Sequence, residues 1–300
     1  MKYLDSINKN IINFLNTQKF FIYGQNINTG TFISGLTKNI YRVKKNPIKN
    51  VPNCENSLVG LGFGIMLDGG NAVYIAKQLD FLLLGIDHFV NTMNFIKIKK
   101  KLFGSFNIIT FVCDQGFQGP QSSFNNMDDL SSLAQVNSFQ INTLFEANKI
   151  FSGKKLLKGF NIITISQRLS NKKIFQLDAD SYARNYSAFL YYEKKYSDYT
   201  IISSNLSFEY ACQIKLKNMT KNIQILNFNY LNEIYTKFIL KKIKNSKKII
   251  LITDTKSINS RNFIIYKLIK ENQNKRIIFL KKNNYNWNNQ KDDMIIKQKF

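Results

Sequence analysis

The sequence predicts an α/β protein of two domains, each a mostly parallel sheet flanked by helices. Short apolar runs alternate with longer stretches of helical periodicity along most of its 300 residues. Two of those runs, NIITFV at 107–112 and NIITIS at 161–166, are continuously apolar, as strands covered on both faces are. A charged, tyrosine-containing stretch at 167–195 interrupts the alternation once, and the pattern then restarts.

The elements follow in order. An apolar run predicts a strand at 20–23, a small-residue helix follows at 56–67, and a second strand at 72–76. Apolar residues at three- and four-residue steps predict a helix over 81–96. The strand at 107–112 leads into a polar, glycine-containing loop at 114–126, then a helix at 127–134 capped from Asn125 or Asn126. A strand at 139–142, a helix at 146–157 and the strand at 161–166 close the first unit. The second unit is expected to run strand 199–203, helix 208–217, strand 223–227, helix 233–243, strand 248–254, helix 264–270 and strand 276–280. These elements place domains at 1–184 and 185–280, with a polar tail at 281–300.

Composition narrows the function classes. A hydrophobic content of 44% fits a folded protein. Forty-three Lys and Arg against 19 Asp and Glu give a net charge of +24, which invites a nucleic-acid reading. The lysines are scattered among Asn and Ile, and no nucleic-acid motif accompanies them, so no nucleic-acid partner is expected. Steering of anionic substrates or an acidic partner is the expected consequence of the charge. Cys54, Cys113 and Cys212 are widely spaced without a CxxC pair, which predicts neither a zinc site nor a disulfide framework. No apolar run reaches the ~20 residues of a membrane span, so a soluble, cytoplasmic protein is expected.

The most informative stretch runs from Asn50 to Asn91. Glu55 sits before a helix bearing Gly60, Gly62 and Gly64, and Asp80-Phe81 opens the next helix. Read with Tyr23-Gly24-Gln25-Asn26-Ile27, Gly30-Thr31-Phe32, Gly35-Leu36, Arg42-Val43, Asn50-Val51-Pro52-Asn53-Cys54-Glu55 and Asp87-His88-Phe89-Val90-Asn91, this order resembles the β subunit of thiamine-diphosphate-dependent 2-oxoacid dehydrogenases. The family patterns are G-E-D-V, G-G-x-F, G-L, R-V, D-T-P-x-x-E and D-Q-x-V-N. Gln25 and Asn26 replace two usual acids.

The resemblance implies a transketolase-like pyrimidine-binding domain followed by a smaller transketolase C-terminal-like domain. It implies a subunit of a heteromeric enzyme that cleaves or decarboxylates a 2-oxoacid such as pyruvate, or a ketose-like donor, and transfers the acyl or C2 unit. Glu55 would be the carboxyl that contacts the aminopyrimidine of thiamine diphosphate, and Phe81 the aromatic against that ring. The diphosphate-binding GDG motif is absent; in the family the α-type partner supplies that site and Mg2+, usually in an α2β2 heterotetramer. A lipoyl-bearing or other acceptor protein would take the product. No metal ligand is expected from this chain.

One loop departs from the family. Gln121 and Ser122 stand where the dehydrogenases carry an active-site histidine, and neither relays a proton near neutral pH as histidine does. The one histidine, His88, is a candidate substitute or a packing residue. The alternative function is therefore a degenerate, non-catalytic transketolase-like subunit that scaffolds or regulates a partner.

Overall fold

The computed structural model describes residues 1–99, 104–115, 118–119, 125–134, 136–152, 154–183, 186, 188–228, 233–254, 266–267, 269–271 and 275–281. The chain divides into two compact units, Met1–Cys113 with Asp129–Gln176, and Asp114–Asp128 with the chain from Leu177 onward. The two-domain α/β class expected from the sequence is observed.

In the first unit, β1 (Phe21–Gly24), β2 (Ile48–Asn50), β3 (Asn71–Gln78), β4 (Ser105–Val112), β5 (Asn137–Ile141) and β6 (Gly159–Ser166) form one sheet in the order β2-β1-β3-β4-β6-β5. All its pairings are parallel. The two NIIT runs are neighbours in register, Asn107 with Asn161 through Thr110 with Thr164. Both strands are buried along their whole length, as their lack of alternation requires. Their asparagines bond sideways across the sheet: Asn137 Nδ2 donates to Asn161 Oδ1 at 3.2 Å, and Asn161 Nδ2 to Asn107 Oδ1 at 3.0 Å. That row satisfies polar side chains which would otherwise be costly inside an apolar layer.

The helices of this part of the chain are α1 (Tyr3–Leu15), α2 (Glu55–Leu67), α3 (Met93–Lys99), α4 (Met127–Ala134) and α5 (Leu144–Ser152). Helix α1 has no counterpart among the expected elements. It buries Ile7, Ile11, Phe14 and Leu15, and Tyr3 Oη donates to the Ile141 carbonyl at 2.6 Å.

The helix expected at 81–96 is broken into three pieces: a 3₁₀ segment at Leu79–Gly85, a π-turn at His88–Thr92, and then α3. Three-residue winding puts Leu79, Leu82 and Gly85, all buried, on one side. That side meets α2 so closely that a Cβ on Gly85 would lie 2.9 Å from Val59 Cγ2.

The second unit contains β7 (Ser181–Tyr182), β8 (Ala188–Tyr191), β9 (Ser197–Ser204), β10 (Ile223–Phe228), β11 (Ser246–Thr253) and β12 (Arg276–Lys281), with α6 (Phe208–Lys217) and α7 (Glu233–Ile243). The order is β12-β11-β9-β10-β8-β7, parallel from β12 to β10, with β8 antiparallel to β10 and to β7. The division at Gln176 and Leu177 precedes the expected 184/185, because β7 and β8 lie in the stretch read as connector. The expected helix at 264–270 falls partly outside the described residues; of those described, 266–267 and 269–271 are helical. Apart from Lys281 at the end of β12, the expected tail also lies outside them. Among the described residues, no helix is long and apolar enough to cross a membrane.

Candidate functional site

A parallel sheet opens a crevice at the carboxyl ends of its strands where successive crossovers leave in opposite directions. In the first sheet that point lies between β1 and β3, since β2 lies to one side and β4, β6 and β5 to the other. A cleft of about 200 Å³ occupies it. Gln25 and Asn26, directly after β1, line one side, and Lys77 of β3 with Phe81 the other. The turn after β1 adds Thr31, Ile33 and Ser34, and the loop before α2 adds Asn53. Phe81, chosen from the sequence, therefore faces the cleft.

Glu55 is the first residue of α2 and is half-buried. A carboxylate there is favoured by the amino-terminal end of the helix dipole. Glu55 does not itself line the cleft. It lies on the helix against which the Phe81 segment packs, and a Cβ on Gly85 would stand 3.5 Å from the Glu55 carbonyl oxygen.

Beneath this end of α2 lies a pair of tyrosines that sequence reasoning missed. Tyr23 and Tyr74 are register partners on β1 and β3, and their rings stack with centroids 5.2 Å apart at 6°. Tyr23 Oη donates to the Leu58 carbonyl of α2 at 2.6 Å. Burial, and then the nearby Glu55 carboxylate, push the Tyr74 phenol well above its ordinary range. Burial, and then Tyr74, do the same to Tyr23. Both phenols stay protonated wherever the protein is folded near neutral pH. The signal available in the sequence was a tyrosine within each of two short strands, but nothing local to either said that they are neighbours.

These shifts have a pH consequence. Above about pH 10 the unfolded chain's tyrosines release protons that the folded chain keeps, so the folded state binds more protons and stability falls as pH rises. Replacing both with phenylalanine is expected to flatten this alkaline limb, read as denaturation free energy from about pH 9 to 11 against wild type.

His88 packs on α2: a Cβ on Gly60 would lie 2.8 Å from its Nε2, and its Nδ1 is 3.0 Å from Thr92 Oγ1. It is not among the residues lining the cleft. Gln121 and Ser122 lie outside the described residues. Among the described residues, no group of His, Cys, Asp or Glu is arranged to hold a metal ion. None of the three cysteines is in a disulfide; Cys54 is exposed and the other two are buried.

The second sheet has its own switch point, between β9 and β11. There Asn205 Nδ2 donates to Asp128 Oδ2 at 2.9 Å, and Asn125 Nδ2 to Asp254 Oδ2 at 3.0 Å. Asn125, Asp128 and Asp254, all buried, fill that end with the unit's own side chains.

No family model and no curated protein matches this sequence. A solved structure does: a split-gene transketolase, described as an inactive β4 tetramer, aligns with a TM-score of 0.66 over 93% of this chain and 88% of its own, at 11% identity. The fold is therefore transketolase-like.

Proposed function

We propose that the chain is the β-type subunit of a heteromeric thiamine-diphosphate enzyme acting on a 2-oxoacid or ketose-like donor, with residues 1–184 the pyrimidine-binding domain. The observation that carries this reading is the cleft at the β1/β3 switch point, with Phe81 in its wall and half-buried Glu55 on the adjoining helix.

The residues present fit the group. Glu55 offers a carboxyl at a partly dry position beside phenols that remain neutral. Phe81 offers a half-buried ring to one face of a heterocycle, worth about 0.5–1.5 kcal/mol beyond area burial. When bound, the cofactor supplies a carbon nucleophile and a sink for the electrons of the broken C–C bond. Glu55 would be the group to share a proton with the aminopyrimidine nitrogen of a bound cofactor, and the stacked tyrosines hold apolar surface and α2 in place. The α-type partner supplies the diphosphate and Mg2+ site, and a lipoyl-bearing or other acceptor takes the product.

Assembly has its own support. The outer side of α2 exposes Leu61 and Leu67, and the segment packed on it exposes Leu83 and Leu84. Large apolar side chains exposed on two packed elements are the kind that protein–protein surfaces cover. The transketolase neighbour, a tetramer, is consistent with a multisubunit state. Leu61→Asp with Leu84→Glu is expected to split the assembled complex by sedimentation while each chain stays folded.

A direct test is deuterium exchange at the thiazolium carbon of added thiamine diphosphate, with Mg2+ and the chain co-expressed with the product of the adjacent gene. Exchange well above the buffer rate supports catalysis; exchange at the buffer rate by folded, assembled chains overturns it. The second reading, a scaffolding subunit without catalysis, is favoured by Gln121 and Ser122 in place of the loop histidine.

A further inference from the structure

Among the described residues, one charged side chain lines the β1/β3 cleft. It belongs to Lys77, itself exposed, which is the only ionisable one of those residues in the lining and makes no ion pair among them. The remaining polar groups are the amides of Gln25, Asn26 and Asn53 and the hydroxyls of Thr31 and Ser34, several of which can donate.

The backbone of the wall is unusual. Asn26, Ile33 and Ser34 have φ of 54°, 50° and 51°, and Phe32, between Thr31 and Ile33, has 51°. Left-handed backbone is unfavourable for non-glycine residues, most of all for a β-branched one such as Ile33. Strain of this kind persists at ligand clamps, where the surrounding structure enforces it. Successive N–H groups in such turns form concavities that take anions. Neither the Ile33 nor the Ser34 N–H donates to a carbonyl among the described residues.

We propose that this cleft is a subsite for the anionic end of a small organic substrate, with Lys77 as its charge partner and the turn at residues 31–34 as its cradle. At about 200 Å³ it holds roughly six water volumes, which suits a carboxylate or phosphate with a short carbon skeleton. In the reading proposed above, the anion is the carboxylate of the 2-oxoacid donor, beside the ring that Phe81 supports. The identity of the donor rests on that reading; the anion site rests on the cleft alone. The positive balance of the whole chain favours the approach of such an anion.

The test is calorimetric titration of the full chain, without thiamine diphosphate, using pyruvate and inorganic phosphate as separate probes. Wild type is compared with Lys77→Gln, Lys77→Arg and, as a control for lost charge, Lys217→Gln of the second unit. The expected result is saturable pyruvate binding that weakens about tenfold in Lys77→Gln and survives in Lys77→Arg and Lys217→Gln. Binding of phosphate alone, with the same dependence on Lys77, would keep the anion site and overturn the 2-oxoacid assignment. Affinities equal in wild type and Lys77→Gln would overturn the site. Because no cofactor is present, failure here is distinguishable from failure of the thiamine reading.

Discussion

Glu55→Gln is expected to slow exchange of the thiazolium proton by roughly 10²–10⁴-fold in the assembled enzyme, the range for loss of a positioned acid–base group. Glutamine keeps the shape of the side chain and its acceptor oxygen, but it cannot share a proton with a ring nitrogen. The structural penalty is small, because Glu55 is only half-buried and its dipole interaction at the start of α2 is worth about 0.3–1 kcal/mol. The two effects separate cleanly: denaturation shifts little while exchange collapses. A variant in which both fall together would mean that Glu55 is a helix-entry residue and nothing more.

Gly62→Ala is expected to destabilise the first unit by about 1–3 kcal/mol, read by denaturant unfolding. An added Cβ would lie 2.2 Å from Phe106 Cε2 and 2.3 Å from its Cζ. The ring cannot swing aside, since Phe106 is fully buried with Phe160 and Phe63 each 5.2 Å away between centroids. Alanine gains about 1 kcal/mol of helix propensity over glycine, which offsets only part of the overpacking. Adding Phe106→Leu should recover some stability, because the smaller side chain vacates the space the methyl needs. If Gly62→Ala proved neutral, α2 would not pack on β4 as closely as described.

Much of the fold was legible because its core strands carry an unmistakable pattern. The two NIIT runs read as doubly covered strands and are that, and α6 and α7 begin and end where helical periodicity does. Helix α1 was obscured by Ser6 and Asn8, polar residues on its buried side. The segment at 79–85 has helix-compatible spacing, but its tight contact with α2 at Gly85 selects 3₁₀ winding, and only the tertiary structure imposes that. Strands β7 and β8 form the antiparallel edge of the second sheet, and their short, charged surroundings read as connector.

The site divides in the same way. Glu55 and Phe81 were singled out by motif; Phe81 lies in the cleft wall, while Glu55 lies on the adjoining helix and does not line the cleft. Tyr23, Tyr74 and Lys77 were not singled out, because their meaning depends on β1 lying beside β3. That adjacency skips over β2, which departs to the far side of β1. The sequence between β1 and β3 carries no local sign of a switch point; the strand order creates it.

The central claim is that this chain supplies the pyrimidine half of a shared thiamine-diphosphate site. It is tested most directly by calorimetric titration of the cofactor, with Mg2+, into the chain alone, into its complex with the co-expressed partner, and into the Glu55→Ala complex. The account predicts binding that requires both chains and is lost in Glu55→Ala. A folded wild-type complex that binds no thiamine diphosphate would contradict it and leave a transketolase-like scaffold without catalysis.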